Sequence, residues 1–266
     1  MRSLCTALCV TLATSISIAQ HQLVWTTGVV RAAYLASNPA QAIKDPNTGE
    51  LRGVVVDLTQ ELARTRGIKV TLVPAPNPQA VIEAVRSGNA EIGFVAYNPE
   101  RAGPVEFSQP YLLVNQTFLV REDSPIQSIR DIDQTGRKLG ATRADSIALY
   151  LGRTLKQGQL IELDSPGPDT IFRMLRDGSI DAFGANRQRL TDMSRGATGV
   201  RLLADDLYGV EQTIIVPGGR KDALDAVNQF IDEVRQSGVL QKAIERSGVI
   251  GISAAPPQGQ RSRGQG

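Results

Sequence analysis

Cysteine and histidine are almost absent from this chain of 266 residues, and aromatic residues make up only 5% of it. The two cysteines, Cys5 and Cys9, lie in the first ten residues, and the one histidine is His21. Once the leader described below is removed, no disulfide, thiol nucleophile or cysteine-based metal site is expected. No cofactor is predicted either, because the sequence has no close cluster of His, Cys, Asp and Glu that would hold a metal.

An excess of charge of one sign is also missing. The formal net charge of +2 includes Arg2 in the leader and Arg261 and Arg263 near the C-terminus, so the body without these three carries −1. No nucleic-acid partner is therefore expected. Hydrophobic residues (41%) and charged residues (21%) are in the balance of a soluble globular protein that buries a sizeable core.

The chain has no hydrophobic run long enough for a membrane span, and this bears on its N-terminus. Leu4 to Ile18 form an apolar stretch of about 15 residues, which falls short of the roughly 20 needed to cross a bilayer. The positive Arg2 before this stretch and the small residues Ser17 and Ala19 at its end are typical of a secretory signal peptide. Residues 1–19 are therefore predicted to be a signal peptide that directs the protein to the periplasm.

Strand-like and helix-like segments alternate over the rest of the chain. The helix-like segments carry apolar residues at helical spacing, such as Val81, Ile82 and Val85. This alternation predicts an α/β fold with a largely parallel sheet. The predicted strands are at 29–34, 68–73, 91–96, 117–121, 138–141, 160–163, 180–183 and 212–216. The predicted helices are one that ends near 67 and those at 78–87, 145–155, 170–176, 223–236 and 239–245.

The last segment differs from the rest in composition. From Ala254 onward the residues are mainly Pro, Gly, Gln, Ser and Arg, without apolar periodicity. Such a composition does not bury enough apolar surface to offset the entropy of folding. Residues 251–266 are therefore predicted to form a disordered tail.

Two short motifs lie near the middle of the chain. Asn98-Pro-Glu-Arg101 is followed by Val105-Glu-Phe-Ser-Gln-Pro-Tyr111. In this order and spacing the sequence resembles the extracellular solute-binding proteins of family 3, the amino-acid type that serves ABC transporters. Those proteins carry Thr-Pro-Glu-Arg and then Phe-Ser-x-Pro-Tyr. The likeness extends from about Arg31 to Ile250 and includes Gly53-Val-Val-Val-Asp57-Leu58, Gly88-Asn-Ala-Glu91-Ile92 and Asp177-Gly-Ser-Ile-Asp181-Ala182.

This resemblance implies a periplasmic-binding-protein-like fold of type II, in which two α/β lobes are joined by two hinge-crossing strands. Lobe 1 is expected to take residues 20–115 and 212–250, and lobe 2 residues 116–211, with crossings near 115–120 and 207–212. The ligand is buried between the lobes when they close, and closure gives two states that a ligand can bias. The protein is expected to act as a monomer that delivers its ligand to a membrane permease.

The first motif carries the residue that relatives use to hold the carboxylate of the ligand, and the resemblance assigns this role to Arg101. A planar guanidinium matches a carboxylate with two parallel charge-assisted hydrogen bonds. The alternative is a surface arginine paired with Glu100 or Glu106. Tyr97 and Asn98 lie on the same strand-to-loop exit and are candidates for further ligand contacts. For Tyr97, packing in the core is an equally supported alternative.

The second lobe offers a matching segment from Gly140 to Ser146, which runs from a strand into a helix. Backbone N–H groups and the positive end of a helix dipole favour an anionic ligand group there. In relatives a hydroxyl residue near Ser146 contacts the ligand carboxylate. Asp145 is either part of this site or an ordinary N-cap of the helix. Arg143 is either a second cation from the closing lobe or a solvated surface residue.

Several positions depart from the family pattern. Asn186 stands where amino-acid-binding relatives usually carry an aspartate for the ligand's ammonium group, and an asparagine is neutral and both donates and accepts. Asn38 and Pro78 stand where aromatic residues often cover the ligand. The sequence therefore predicts a pocket with an intact carboxylate grip but a weaker ammonium grip and aromatic cover. Ser37 and Asn77 are further polar candidates, although both are also typical turn residues.

These features predict a solute-binding protein of an ABC transporter that captures an amino acid or a related small carboxylate by hinge closure. One alternative is an enzyme of the same fold, such as a cyclic-carboxylate dehydratase, which needs a positioned acid or base. Glu100, Asp145 and Glu211 are its candidates, but no spacing singles them out, and catalysis is not predicted. Another alternative is a sensor protein that presents its ligand to a membrane receptor.

Overall fold

A computed structural model describes residues 28–257 of the protein, except residues 37, 46 and 144. The predicted signal peptide, the candidate Ser37 and residues 258–266 lie outside this part of the chain. Among the described residues, no helix is long and apolar enough to cross a membrane. The helices are α1 (Val54–Arg66), α2 (Pro78–Arg86), α3 (Ser146–Thr154), α4 (Pro168–Arg176), α5 (Arg187–Ser194), α6 (Lys221–Gln236) and α7 (Val239–Ser247).

The strands of the described residues are β1 (Val29–Leu35), β2 (Ile43–Lys44), β3 (Leu51–Arg52), β4 (Lys69–Ala75), β5 (Ile92–Ala96), β6 (Val105–Phe107), β7 (Leu112–Arg121), β8 (Lys138–Thr142), β9 (Gln159–Leu163), β10 (Ala182–Asn186), β11 (Val200–Leu202), β12 (Tyr208–Pro217) and β13 (Ile252–Ala254). Most of them belong to one large sheet with the order β4-β1-β5-β12-β7-β10-β8-β9. β6 lies beside β12, β11 and β13 lie beside β7, and β2 and β3 form a separate hairpin.

The sheet contains two groups of parallel strands, each with its own hydrophobic core. β1, β4 and β5 are parallel, and so are β8, β9 and β10. The buried apolar residues beside the first group come from 30–112 and 214–244, and those beside the second group come from 118–203. We refer to these two bodies as the first and second lobe. Their separate cores follow from helices that cover each parallel group with an apolar face.

Antiparallel strands connect the two lobes. β7 and β12 pair with each other from Gln116 opposite Tyr208 to Leu112 opposite Gln212. Beyond this stretch β12 pairs with β5 of the first lobe, and β7 pairs with β10 of the second lobe. Both strands therefore pass from one lobe to the other, as the predicted two-lobed fold requires.

A close backbone approach shapes the loop that faces the second lobe. Helix α1 begins after Gly53, which has a φ of 136°, and a Cβ atom there would lie 2.8 Å from the carbonyl oxygen of Gln41. Only glycine fits this position without strain. The N–H of Val55 in turn donates to the same carbonyl at 3.0 Å. These contacts hold the loop of Asn38 to Gln41 against the start of α1, at the edge of the cleft.

The C-terminal segment differs from the prediction. Residues 251–266 are predicted to be disordered, but Ile252–Ala254 form β13 and pair with Leu112–Val114 of β7. Ala255 is buried, and its carbonyl oxygen accepts a hydrogen bond from Arg235 Nε at 3.1 Å. The prediction is wrong for these residues because a strand edge elsewhere in the chain satisfies their backbone groups, which local apolar periodicity does not reveal.

Candidate functional site

Three adjoining cavities lie between the lobes, next to the crossing strands. We name them the first cavity (about 350 Å³), the central cavity (about 410 Å³) and the third cavity (about 470 Å³). Ser146 lines both the first and the central cavity, and Asn38 and Asn186 line both the central and the third. The cavities therefore form one cleft. Of the candidates from the sequence, it brings together Asn38, Tyr97, Asn98, Arg101, Asp145, Ser146 and Asn186.

Arg101 lines the first cavity from the first lobe. It ends a short 3-10 turn, Pro99–Arg101, that follows β5, and Asn98 caps this turn by accepting a hydrogen bond from the N–H of Glu100 at 3.0 Å. No ion pair or side-chain hydrogen bond joins the guanidinium to another residue in the described part of the chain. The alternative pairing with Glu100 or Glu106 is therefore absent, and Glu106 instead accepts from the N–H of Gly219 at 2.9 Å.

Aromatic rings surround the first cavity. Tyr97 is 47% exposed and packs edge-on against Phe107, with ring centroids 5.3 Å apart. Tyr150 of α3 stacks on Tyr208 at the start of β12 with centroids 4.3 Å apart. Burial raises the pKa of the Tyr208 phenol to about 12, and a hydrogen bond with Ser146 acts in the opposite direction. Three tyrosines therefore line the first cavity, whereas the positions of Asn38 and Pro78 at the central cavity carry no aromatic ring.

The start of α3 carries Ser146 and Asp145 from the second lobe. Asp145 occupies the N-cap position, but its side chain makes no capping hydrogen bond, so the alternative of ordinary capping is wrong. Instead its carboxylate lies 3.4 Å from Nη1 of Arg189, which also contacts Oγ1 of Thr142 at 3.2 Å. Partial burial raises the pKa of Asp145, and the charge of Arg189 only partly offsets this.

Asn186 forms the end of β10 and the N-cap of α5. Its Oδ1 accepts a hydrogen bond from the backbone N–H of Arg189 at 2.9 Å, which leaves the amide N–H groups as the unused part of the side chain. On the opposite side of the cleft, Oδ1 of Asn38 accepts from the N–H of Ala40 at 3.0 Å. Both asparagines therefore shape the local backbone and line the cleft at the same time.

Two candidates are engaged elsewhere. The guanidinium of Arg143 bonds Asp164 at 2.7 Å and Glu162 at 3.1 Å, so its charge is already paired at an exposed site. Asn77 caps α2 through a hydrogen bond from the N–H of Ala80 at 2.9 Å, although its neighbour Pro78 lines the central cavity. In the described part of the chain, no group of three or more His, Cys, Asp or Glu side chains is placed to hold a metal ion.

Sequence reasoning missed the residues that the crossing strands contribute. Gln116 of β7 and Gln212 of β12 are each 3% exposed, and both line the central cavity. Tyr208 joins the first cavity from the same pair of strands. The available signal is a polar residue within an otherwise apolar strand, as in Gln212 and Thr213 before Ile214. A buried strand rarely carries such residues without a partner or a function.

Comparison with known proteins gives the site a context. The chain is 25% identical over 201 residues to the L-cystine-binding protein TcyJ of Escherichia coli (strain K12), which covers 74% of each chain. It is 27% identical over 210 residues to the cyclohexadienyl dehydratase of Pseudomonas aeruginosa, again covering 74% of each chain. Its curated relatives thus include both a binding protein and an enzyme.

Solved structures and the family pattern agree on the architecture. An ancestral cationic amino acid solute-binding protein, AncCDT-1, matches with a TM-score of 0.62 and 22% identity, over 85% of this chain and 98% of that one. The predicted two-lobed fold of type II is thereby confirmed. Residues 30–248, most of the chain, match the bacterial extracellular solute-binding proteins, family 3. This chain therefore belongs to the bacterial extracellular solute-binding proteins of family 3.

Proposed function

We propose that this protein is the periplasmic solute-binding component of an ABC transporter and captures an amino acid or a related small carboxylate. Lobe 1 (20–115 and 212–250) closes on lobe 2 (116–211) about the two crossing strands and delivers the solute to a membrane permease. Family membership supports this role, as do the separate cores of the lobes and the signal peptide predicted at 1–19.

The observation that carries the proposal is the guanidinium of Arg101, which lines the first cavity and has no ion-pair partner among the described residues. A solute carboxylate in this cavity becomes the counter-ion of Arg101 and forms charge-assisted hydrogen bonds with it. Lobe closure removes water from the pair and strengthens the attraction. Ser146 on the second lobe lines the same cavity and offers a hydroxyl to the bound solute.

Removing the guanidinium is the direct test. In a thermal-shift screen against amino acids, dicarboxylates and aromatic acids, binding raises the melting temperature of the wild-type protein. Arg101→Ala should weaken the tightest of these solutes by about 2 kcal/mol or more, about thirtyfold in Kd by calorimetry. The melting temperature of the empty protein should stay nearly unchanged, because the guanidinium has no hydrogen bond or ion pair to lose within the described part of the chain.

Arg86→Ala is the matched control. Arg86 pairs with Glu83 on the surface of α2, away from the three cavities, and its removal should leave affinity unchanged. Undiminished affinity in Arg101→Ala would contradict the assignment of the carboxylate grip. Genes for a permease and an ATPase beside this gene would support transport, whereas an adjacent receptor-kinase gene would support the alternative of a ligand-presenting sensor.

A second candidate function is favoured by Asp145. A dehydratase needs a positioned acid, and Asp145 lines the central cavity with a pKa that burial raises above its ordinary value. Incubation with a cyclohexadienyl carboxylate, followed by the ultraviolet absorption of an aromatic product, tests this function. Product that forms with the wild type and not with Asp145→Asn would replace the transport proposal with an enzymatic one.

A further inference from the structure

Gln212 occupies a central place in the cleft. It lies on β12 opposite Ala96 of β5 and opposite Leu112 of β7, so strands flank it on both sides. Its side chain is 97% buried and lines the central cavity. Ala96 precedes Arg101 by five residues and lines both the first and the central cavity. Gln212 therefore faces the part of the cleft that adjoins the proposed carboxylate grip.

The amide of Gln212 is poorly satisfied by the protein. Among the buried side-chain polar atoms of the described residues, two have no hydrogen-bond partner, the hydroxyl of Tyr111 and Oε1 of Gln212. Of these two residues, Gln212 lines the central cavity. Its Nε2 makes only a long contact of 3.5 Å with the carbonyl oxygen of Val210. A buried acceptor without a partner destabilises the folded state, so the site carries this cost when it is empty.

Two other buried glutamines, Gln41 and Gln109, make hydrogen bonds through both ends of the side-chain amide. Oε1 of Gln41 accepts from the N–H of Leu35 at 2.8 Å, and its Nε2 donates to the carbonyl of Phe94. Gln109 is buried away from the cleft, where it donates to the carbonyl of Asn228 at 2.9 Å and accepts from Arg235 at 3.3 Å. Of the two buried glutamines on the crossing strands, Gln116 donates from Nε2 to the carbonyl of Val114 at 3.2 Å, and Gln212 has an Oε1 that is buried without a hydrogen bond.

Two other side-chain acceptors near this point, on Asn186 and Asp145, are already engaged. Oδ1 of Asn186 accepts from the backbone N–H of Arg189, and the carboxylate of Asp145 lies next to the guanidinium of Arg189. The position that relatives use for an ammonium group therefore presents mainly amide N–H groups to the cleft. Gln212 offers the solute an acceptor that no residue of the described part of the chain uses.

We infer that Gln212 is a ligand-binding residue whose amide turns into the central cavity when a solute binds, so that Oε1 accepts a hydrogen bond from a donor on the bound carboxylate. This inference rests on the proposed function and extends it by naming the solute class. A neutral amide oxygen accepts from a hydroxyl, an amide or an ammonium group, and it gives no ion-pair preference for the ammonium. The solute is a small carboxylic acid with such a donor near its carboxylate, as in 2-hydroxy acids and 2-amino acids.

Three matched sets of acids test this inference by calorimetry. The sets are the common 2-amino acids, the 2-hydroxy acids with the same side chains, and the acids with the same side chains but neither an amino nor a hydroxyl group at carbon 2. Within the group of acids that share the most tightly bound side chain, the wild type should bind the 2-hydroxy or 2-amino acid at least about tenfold more tightly than the acid without a substituent at carbon 2. Gln212→Met should lose this preference, because the acceptor is gone while the volume is nearly kept.

Melting temperatures separate a binding role from a structural one. Gln212→Met should keep or raise the melting temperature of the empty protein, since it removes a buried polar group without a partner. Gln109→Met is the control and should lower the melting temperature without changing affinity, because it leaves Asn228 and Arg235 without hydrogen bonds that they now make.

The outcomes distinguish this inference from the proposed function. If no acid in the three sets binds the wild type, the proposed function fails and the inference fails with it. If Arg101→Ala loses binding but Gln212→Met keeps the full preference for donor-bearing acids, the function stands and the inference is overturned. A marked fall in the melting temperature of empty Gln212→Met would also overturn it, because the amide would then be structural.

Discussion

At the scale of single residues, the cleft contains a carboxylate, that of Asp145, whose charged form is disfavoured by burial. Asp145 is partly buried between the lobes, and its pKa is raised above the ordinary value of 3.8, with burial as the largest cause. The neighbouring Arg189 lowers the pKa but does not restore it. The folded protein therefore disfavours the charged form of this side chain relative to the unfolded chain.

This shift predicts how the stability of an Asp145→Asn variant depends on pH. Above the folded pKa the wild-type carboxylate is charged at a cost that asparagine avoids, so the variant should have the higher free energy of unfolding at neutral pH. The gain should shrink as pH falls through the folded pKa and vanish below 3.8, where the carboxyl is protonated in both states. Urea denaturation at several pH values measures the difference.

Asp133→Asn is a control in which the free energy of unfolding at neutral pH should change in the opposite direction. The pKa of Asp133 is lowered by hydrogen bonds from the backbone N–H groups of Gly158, Gln157 and Lys156. Its ionised form therefore stabilises the fold above the unfolded pKa, and the Asn variant should lose stability at neutral pH and not in acid. A gain for Asp145→Asn that persists unchanged in acid would contradict the assignment to its charge.

Arginines illustrate what the sequence could predict at this scale. Arg101 is found in the cleft as expected, because its motif spans only a few residues between a strand and a turn. For Arg143 the sequence allows either a second cation of the site or a solvated surface residue, and the parallel pairing of β8 with β9 brings Glu162 and Asp164 beside it at an exposed site. Arg189 reaches Asp145 instead, over 44 positions of sequence. Such partners depend on strand order, which local patterns do not specify.

At the scale of secondary structure elements, two asparagines start helices in the same way. Asn77 accepts from the N–H of Ala80 at the start of α2, and Asn186 accepts from the N–H of Arg189 at the start of α5. Each satisfies a backbone donor that the helix itself leaves unpaired. Only Asn186 of the pair also lines the cavities.

The shared geometry predicts similar stability losses and different effects on binding. Asn77→Ala and Asn186→Ala should each lower the free energy of unfolding by about 1 kcal/mol, because the cap is lost. Asn186→Asp should keep most of the stability, since aspartate caps as well as asparagine does. Urea denaturation measures these changes, and calorimetry should find altered affinity at position 186 alone. A stable Asn186→Ala would argue against the cap.

Most helices and strands were predictable because their apolar residues recur with a clear period. α2 was expected at 78–87 and spans Pro78–Arg86, and β1 was expected at 29–34 and spans Val29–Leu35. α5 was missed, since Leu190 is its one fully buried residue and the helix is mostly polar. β13 was missed because its three residues are strand-like only through their pairing with β7.

At the scale of the whole molecule, a third segment runs between the lobes. After α7 of the first lobe, the N–H of Ile250 donates to Oε1 of Gln188 in the second lobe at 2.6 Å. Gly251 follows with a φ of 75°, and a Cβ atom there would lie 2.5 Å from Cβ of Arg187. The chain then returns to β7 as β13. The C-terminal segment is thus packed against both lobes and a crossing strand.

Deletion of residues 251–266 should therefore destabilise the protein. The loss of β13 pairing and of the buried Ala255 should lower the free energy of unfolding by about 2 kcal/mol. Deletion of 258–266 is the control, because it keeps all of these contacts. Urea denaturation compares the two, and equal stability of the two truncated proteins would show that β13 contributes nothing.

The tyrosines around the first cavity give the protein an optical property. Of the five tyrosines in the chain, Tyr97, Tyr150 and Tyr208 line this cavity, whereas Tyr34 and Tyr111 are buried in the core of the first lobe. The absorption of a phenol depends on the water and dipoles around it. A solute that enters the first cavity changes the surroundings of three chromophores and leaves the other two as a constant background. The near-ultraviolet difference spectrum should therefore report occupancy of the cleft without an attached dye.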